Sequence, residues 1–406
     1  MQENGFEFGP LAGLRVIEFG SLIAGPFAAR MMAEFGAEVI KIEALEGDPL
    51  RKWRVLHEGT SLWWRVQARN KKLIALDLKT PEATRIVHEL VRGADVVVEN
   101  FRPGLMERLG FGWDALSQLN PNLVMVRISG YGQTGPYRDR PGFGAIGEAM
   151  GGIRYVTGAP DRPPSRVGIS LGDTLASLHG VVGALMCLLR VKSGRGKGQV
   201  VDVALTESVM NIMESMIPEF GLAGHVRERS GGRLPGICPS NTYRTADDDW
   251  LVVAGNSDPI YRRLMTAIGR ADLARDMRLQ TNDGRVAHET LIDRAIDTWA
   301  AGMRTEDALA VLHAADVPAD RIYSVADMVA DPQFLAREAI LDAALPDGTA
   351  TKVPGIMPRL SATPGRMNWL GGDVGAHSLA ILAELGYSPA EIAELVNRGV
   401  VGARPN

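Results

Sequence analysis

Short apolar runs alternate with helix-like segments over the first 130 residues of the chain. Five runs, each of strand length and rich in Val, Ile and Leu, lie at residues 14–20, 38–43, 73–78, 95–99 and 123–128. Between them, Pro26 and Pro81 stand where proline suits the first turn of a helix. Because parallel strands need crossover helices, the pattern predicts an α/β fold with a mostly parallel sheet.

Composition and charge exclude several classes of protein. The 406 residues include 44 Lys and Arg against 48 Asp and Glu, and the net charge of −4 gives no basic field for nucleic acid. Cys187 and Cys238 are too few for a secreted disulfide framework. The N-terminus lacks a signal-peptide pattern, and no run approaches the about 18 apolar residues of a membrane span. We therefore expect a cytoplasmic protein that binds neither nucleic acid nor membrane.

The composition changes in the second half of the chain. Residues 221–240 are rich in Gly, Arg and Pro, which is typical of a linker or an exposed loop. The strand-like run at 250–254 and the helical segments that follow predict a smaller α/β domain. Residues 378–396 have the pattern of two amphipathic helices separated at 386–389.

Two glycine motifs resemble known functional patterns, but the segments around them lack the strands that these functions require. Residues 142–147 match the G-x-G-x-x-G dinucleotide pattern, yet a loop rather than a strand precedes them, which favours a glycine-rich helix start. Residues 168–172 match the G-x-S-x-G nucleophile elbow around Ser170, although only two preceding residues can form a strand. A hydrolase that uses Ser170 stays open as an alternative. The sequence has no metal-binding motif and no phosphate loop, so we expect neither a metal nor a permanently bound cofactor.

Asp173 has two possible roles. It stands between Gly172 and a helix-forming run, where an aspartate commonly caps a helix through its carboxylate. The helix dipole also keeps a carboxylate ionised at that position, which makes it available as a nucleophile. The spacing alone leaves both roles open.

A series of motifs in fixed order gives the chain a family resemblance. It resembles the class III CoA-transferases (formyl-CoA transferase-like, CaiB/BaiF type) from about residue 10 onwards. The segments that carry this resemblance are LAGLRVIEF at 11–19, AGP at 24–26, GAEVIKIE at 36–43, NKK at 70–72, LDLK at 76–79, VENF at 98–101, GYGQTGP at 130–136 and GD at 172–173.

The resemblance implies a covalent mechanism with Asp173 as the nucleophile. In this family an aspartate attacks an acyl-CoA to form an acyl-aspartyl anhydride, and the released CoA thiolate then converts it to an aspartyl-CoA thioester. A second carboxylic acid accepts the CoA by the reverse steps. CoA thioesters are thus substrates, and the segment that contains Gly231 and Gly232 corresponds to the family's glycine-rich lid.

The resemblance also implies residues that contact CoA. These positions are Leu22, Ile23, Leu76, Lys79, Asn100, Phe101 and Arg108. Three departures from formyl-CoA transferase distinguish this chain. Ala44 replaces a basic residue, Ile23 replaces a glutamine near the acyl group, and residues 143–144 replace a Tyr-acidic pair. The acyl pocket is therefore expected to be larger and more apolar than one built for formate.

Residues 47–54 and 58–65 look similar to members that use succinyl-CoA with dicarboxylate acceptors. A second carboxylate needs a cation, and the candidates are Arg51, Arg54, Arg65 and Arg69. The family's architecture implies an interlocked homodimer of ring-shaped protomers. Each has a Rossmann-like large domain (1–220, rejoined by 341–406) and a linker with a smaller domain (221–340). A non-catalytic CoA-binding subunit of a two-chain transferase stays open as a further alternative.

Overall fold

The computed structural model describes residues 8–403. Residues 1–7, for which the sequence predicts no signal peptide, lie outside the described residues. Strands within the described range are β1 (Arg15–Glu18), β2 (Glu38–Glu43), β3 (Leu56–His57), β4 (Thr60–Ser61), β5 (Lys71–Leu76), β6 (Val96–Glu99), β7 (Val124–Ser129), β8 (Val200–Ala204), β9 (Ser240–Arg244), β10 (Trp250–Ala254), β11 (Ala319–Arg321), β12 (Ile340–Ala344), β13 (Ala350–Pro354) and β14 (Val401–Gly402).

Helices connect most of these strands. Within residues 8–403 they are α1 (Ala24–Glu34), α2 (Leu62–Gln67), α3 (Pro81–Arg92), α4 (Leu105–Arg108), α5 (Trp113–Leu119), α6 (Gly144–Met150), α7 (Ile153–Val156), α8 (Leu171–Lys192), α9 (Leu205–Met210), α10 (Met216–Ala223), α11 (Asp258–Ala267), α12 (Ala271–Arg275), α13 (Asn282–Ala287), α14 (Glu289–Ala301), α15 (Thr305–Ala314), α16 (Val325–Ala330), α17 (Pro332–Ala336), α18 (Ser378–Glu384) and α19 (Pro389–Asn397).

A seven-stranded sheet in the order β14-β5-β2-β1-β6-β7-β8 forms the centre of the fold. Every neighbouring pair is parallel except β14 with β5, so the predicted mostly parallel sheet is confirmed. In the central strand β1, Val16 aligns with Val39 on one side and with Val96 on the other. The apolar runs of the sequence thus become strands because both of their faces are covered.

Helices cover both faces of this sheet. On one face, α3, α5, α18 and α19 pack against side chains such as Ile17 and Val97. On the other face, α1 and α8 pack against Val16, Val126 and their neighbours. The predicted helix pair at the C-terminus is confirmed as α18 and α19, and β10 matches the run predicted at 250–254.

The chain divides into two compact units. Among the described residues, the first comprises 8–153, 168–214 and 336–403, and it contains the seven-stranded sheet. The second comprises residues 154–167 and 215–335, in which the antiparallel sheet β11-β10-β9 packs against α11, α14 and α15. Residues 154–167 lie in the second unit, where the amide of Gly231 donates to the carbonyl of Gly158 over 3.1 Å.

Helix α8 is long and apolar enough to cross a membrane by length and composition alone. Core helices of folded proteins meet the same criterion, and Ala176 and Ala184 of α8 are buried in the core that α1 shares. A second face of α8 stays exposed in the described chain. Its large apolar side chains are Leu178, Val182, Leu185, Met186 and Leu189.

A buried ionic cluster lies where β1 and β2 end and β5 begins. The Glu18 carboxylate is 2.9 Å from the Lys41 ammonium and 2.7 Å from that of Lys71, and Lys41 also pairs with Asp48 at 3.0 Å. All four side chains are almost completely buried. Because an isolated buried charge is very unfavourable, each member depends on the others to remain ionised.

The pKa values of the cluster follow its geometry. Burial alone would lower the pKa of Lys41, but the carboxylates of Glu18 and Asp48 raise it above its usual value. Burial lowers the pKa of Lys71 to about 8, although Glu18 opposes this shift. Burial opposes ionisation of Asp48, yet Lys41 and the amide of Leu50 hold its pKa below the usual range.

We predict that Glu18→Gln strongly destabilises the protein, because Lys41 and Lys71 then share a buried site with one negative charge fewer. The expected loss in free energy of unfolding is about 3–5 kcal/mol. Urea denaturation followed by circular dichroism measures it. Glu394→Gln, which alters an exposed pair with Arg398, is the control and should change stability by less than about 0.5 kcal/mol. Equal stability of the two variants would contradict the prediction.

Candidate active site

A cavity of about 480 Å³ opens at the carboxyl ends of the central strands. The chain runs from β1 outwards through β2 and β5, and then returns to the opposite side of β1 with β6. In open α/β sheets such a reversal leaves a crevice that commonly binds ligands. The residues that line this crevice include Phe19, Lys41, Ala44, Asp48, Leu76, Leu78, Lys79, Phe101, Leu105 and Leu109.

Three of the predicted CoA contacts lie in this crevice. Leu76 is buried at the end of β5, Lys79 is exposed at the rim, and Phe101 follows β6 on the opposite wall. Arg108 is exposed on α4 and is not one of the lining residues, although Leu105 of the same helix is. The lining is mainly apolar, and Ala44 adds no charge to it.

Side chains from other elements hold the loop between β1 and α1 and the first turn of α1. Each of these contacts fixes a different backbone group of residues 20–26, and most of the side chains are distant in sequence. The carbonyl of Gly20 accepts from Lys41 (2.5 Å), and the backbone of Ser21 bonds twice to the side-chain amide of Asn100 (2.8 and 2.9 Å). The amide of Leu22 donates to Asp48 (3.2 Å), and the carbonyl of Ile23 accepts from Gln67 (2.9 Å). The carbonyl of Ala24 accepts from Ser177 (2.7 Å), and that of Pro26 accepts from Lys71 (2.8 Å).

Leu22 and Ile23 are thereby placed on a rigid turn. Leu22 has a φ of +62°, a conformation that is strained for a residue with a branched side chain. Its amide donates to Asp48, which is itself fixed by the buried cluster. Asn100 therefore acts on this loop through its side chain, while Phe101 next to it lines the crevice.

Asp173 lies in the first turn of the 22-residue helix α8. Ser170 is the N-cap residue, and its side chain makes no capping hydrogen bond. The Asp173 carboxylate lies directly over Gly144, where a Cβ atom would overlap it. Gly144 begins α6, so the absence of a side chain there allows the two helix ends to approach. The helix dipole favours the negative charge at this position.

Glu148 is a further buried carboxylate near Asp173, and no motif in the sequence indicates it. It lies one turn beyond Gly144 on α6 and is 1% exposed. One of its oxygens is 3.4 Å from the amide of Gly172 at the start of α8. Only the packing of α6 against α8 brings these residues together, so no local sequence pattern could have revealed the contact.

Neither glycine motif has the context that its function requires. Residues 157–170 are all described and contain no strand, so Ser170 does not sit on the strand-to-helix turn of a nucleophile elbow. Strand β7 ends at Ser129 and α6 begins at Gly144, so no strand leads directly into the G-x-G-x-x-G motif either.

Three of the four candidate arginines are buried and bound to other groups. Arg51 pairs with Glu43 at 2.8 Å and stacks on Trp64. Arg65 donates to the carbonyl of Gly371 over 2.6 Å, and its partner Asp373 lies 3.6 Å away.

Arg69 pairs with Glu34 and donates to the carbonyl of Pro354 over 2.7 Å. Arg54 differs from the other three because it is exposed, with its guanidinium 4.4 Å from the ring centre of Trp63. Of the four, Arg54 is thus the side chain best able to reach a ligand.

The predicted lid residues lie in the second compact unit. Residues 225–239 contain no helix or strand, and Gly231 has a φ of +69°, which glycine adopts without strain. An added Cβ at Gly232 would contact Asn241 and Thr242 of β9. The segment is therefore irregular, with one glycine packed against a strand and one in open space.

Comparisons with known proteins agree on one family. Residues 11–378 match the model of CoA-transferase family III. The chain is 48% identical to the succinyl-CoA–D-citramalate CoA-transferase of Chloroflexus aurantiacus over 395 residues, which cover 97% of this chain and 98% of that protein. It is 38% identical to the beta subunit of the succinyl-CoA–L-malate CoA-transferase of the same organism, with 97% and 98% covered.

A solved structure supports the fold independently. The crystal structure of a CaiB/BaiF family protein from Brucella suis superimposes with a TM-score of 0.82 at 33% sequence identity. The match covers 93% of this chain and all of that one. The mixed α/β fold with its parallel central sheet is therefore that of a solved family member.

Proposed function

Because the chain belongs to CoA-transferase family III, we propose that it transfers CoA from succinyl-CoA to a dicarboxylic acid through covalent intermediates on Asp173. The observation that carries this mechanism is the Asp173 carboxylate in the first turn of α8, held over Gly144. An ionised aspartate carboxylate can attack a thioester directly, without a separate general base. D-citramalate is the first acceptor to test, since the 48% identical relative is named for it.

In the proposed reaction, an oxygen of Asp173 attacks the thioester carbon of succinyl-CoA, and the carbon–sulfur bond breaks. The product is a succinyl-aspartyl anhydride with free CoA thiolate. The thiolate then attacks the aspartyl carbonyl, which releases succinate and leaves an aspartyl-CoA thioester. The acceptor carboxylate repeats the two steps in reverse, so that Asp173 is regenerated and the acceptor leaves as its CoA thioester.

The crevice supports CoA binding in this scheme. Its apolar walls, formed by residues such as Leu76, Leu78 and Phe101, suit the adenine and pantetheine parts of CoA. Lys79 at the rim offers a cation for a phosphate group. We propose Arg54 as the partner of the second carboxylate, and the segment around Gly231 and Gly232 as a lid that excludes water from the anhydride.

We further propose that two copies of the chain form a dimer. The exposed apolar face of α8, which includes Val182, Met186 and Leu189, is unfavourable in water and supports burial against a second copy. The interlocked arrangement of that dimer is an expectation from the family resemblance.

We expect a covalent adduct on Asp173 when the purified protein is mixed with succinyl-CoA alone. Intact-protein and peptide mass spectrometry should detect a CoA or succinyl group on the peptide that contains Asp173. Asp173→Asn keeps the shape but removes the nucleophilic charge, so it should abolish the adduct and reduce transfer at least about 1,000-fold.

Other outcomes of this experiment point to the alternatives. Steady hydrolysis without labelling of Asp173, abolished by Ser170→Ala, would favour the hydrolase. Unreacted succinyl-CoA, with activity restored by a homologous second chain, would favour a non-catalytic subunit.

We predict that Gly144→Ala reduces kcat/KM for succinyl-CoA about 100-fold or more, because the added methyl group displaces the Asp173 carboxylate. Initial-rate kinetics and the adduct assay measure the effect. Gly221→Ala is the matched control, since a Cβ at that helical glycine meets no atom within 4 Å. Similar rates for the two variants would show that the close approach does not matter.

We expect light scattering with size-exclusion chromatography to give the mass of two chains. The double variant Met186→Glu/Leu189→Glu places two charges on the exposed face of α8 and should shift the protein towards one chain. Met277→Glu, at an exposed methionine outside this face, is the control. A single-chain mass for the unmodified protein would refute the dimer.

A further inference from the structure

Ser177 connects two parts of the site that the sequence does not link. It is fully buried on α8, one helical turn after Asp173. Its hydroxyl oxygen lies 2.7 Å from the carbonyl oxygen of Asp173 and 2.7 Å from that of Ala24, which is the first residue of α1. One side chain therefore contacts both the turn that holds Asp173 and the end of the loop that holds Leu22 and Ile23.

The helix packing allows this contact to form. Helix α1 meets α8 through small residues, among them Ala28 and Ala29 on α1 and Ala176 on α8. Small side chains let two helix backbones approach closely, so that a short serine side chain is long enough to reach across. The core that α1 and α8 share is built from apolar side chains, whose packing has little directional preference along the helix axes.

We propose that Ser177 is a positioning residue that holds Asp173 in register with the loop after β1. The hydroxyl has one proton, which it donates to either of the two carbonyl oxygens. Both carbonyls belong to helices, so the hydroxyl adds a directional contact without being needed to satisfy a buried backbone group. The catalytic consequence rests on the proposed function, because it assumes that Asp173 attacks an acyl group bound beside that loop.

The consequence for the reaction is specific. Without the hydroxyl, the direct polar contact between α8 and the start of α1 is lost, and we expect the Asp173 carboxylate to shift relative to the bound thioester. A displacement of about 1 Å from the reacting carbon can reduce a rate about 100-fold while leaving substrate binding intact. CoA binding should be little affected, since Ser177 is not among the residues that line the crevice.

Ser177→Ala is the test variant, and Ser378→Ala is its matched control. Ser378 is also a fully buried serine in the first compact unit, with its hydroxyl bonded to two backbone groups, the amide of Ala75 and the carbonyl of Gly402. Both variants lose one fully buried hydroxyl, so a general loss of stability should appear in both. Ser177→Cys, which restores a weak donor of similar size, is the conservative variant.

We expect Ser177→Ala to lower kcat and the rate of adduct formation about 10- to 100-fold, with KM for succinyl-CoA changed less than about twofold. Ser378→Ala should keep the kcat of the unmodified protein, and Ser177→Cys should have an intermediate value. A kcat within about twofold of the unmodified protein for Ser177→Ala, or an equal fall in both alanine variants, would overturn the catalytic role.

Hydrogen exchange separates this inference from the proposed function. In Ser177→Ala, and not in Ser378→Ala, the amides in peptides that cover residues 22–30 and 171–180 should exchange faster, whether or not the protein reacts with succinyl-CoA. If Ser177→Ala leaves the exchange rates of both peptides unchanged, the Ser177 hydroxyl does not hold α1 and α8 together. If the unmodified protein forms no adduct while the exchange difference is present, the proposed function fails and the positioning contact stands.

Discussion

The buried carboxylate of Glu18 at the end of β1 is the interaction on which the site depends. It lies between the ammonium groups of Lys41 and Lys71, and those two lysines also bond to the carbonyls of Gly20 and Pro26. Because buried charges must be paired, the end of β1, the end of β2 and the start of β5 assemble as one unit. The same cluster therefore fixes the start of the loop after β1 and the first turn of the helix α1 that follows it.

This loop links the two halves of the site within the first compact unit. On one side it bonds to Asn100, whose neighbour Phe101 lines the crevice at the strand ends. On the other side it leads into Ala24, the first residue of α1, whose carbonyl accepts from Ser177, one turn from Asp173 on α8. A rigid loop in this position sets the distance between the crevice and the carboxylate, which a covalent transfer between bound CoA and an aspartate requires.

Features that depend on local pattern could be predicted from the sequence, and features that depend on distant partners could not. The apolar run at 38–43 became β2 because its own residues fit a buried strand. By residue type and position, Arg51, Arg65 and Arg69 are candidate ligands of a substrate carboxylate, but each bonds to a carbonyl about 300 residues away. Likewise, the need for a glycine at position 144 becomes clear only from the structure, in which the Asp173 carboxylate occupies the place of a Cβ atom.

In the proposed reaction, a rigid arrangement of the reacting groups matters more than the free energy released by the exchange. One thioester and one carboxylate enter, and one thioester and one carboxylate leave, so the exchange is nearly balanced in free energy. Water that reaches the anhydride would instead hydrolyse it, and the free energy of the original thioester would be lost irreversibly. A site for this chemistry must therefore keep the thiolate and the carboxylate in register through every step, and the contacts of Asp173 with Gly144 and of Ser177 with Ala24 are suited to that requirement.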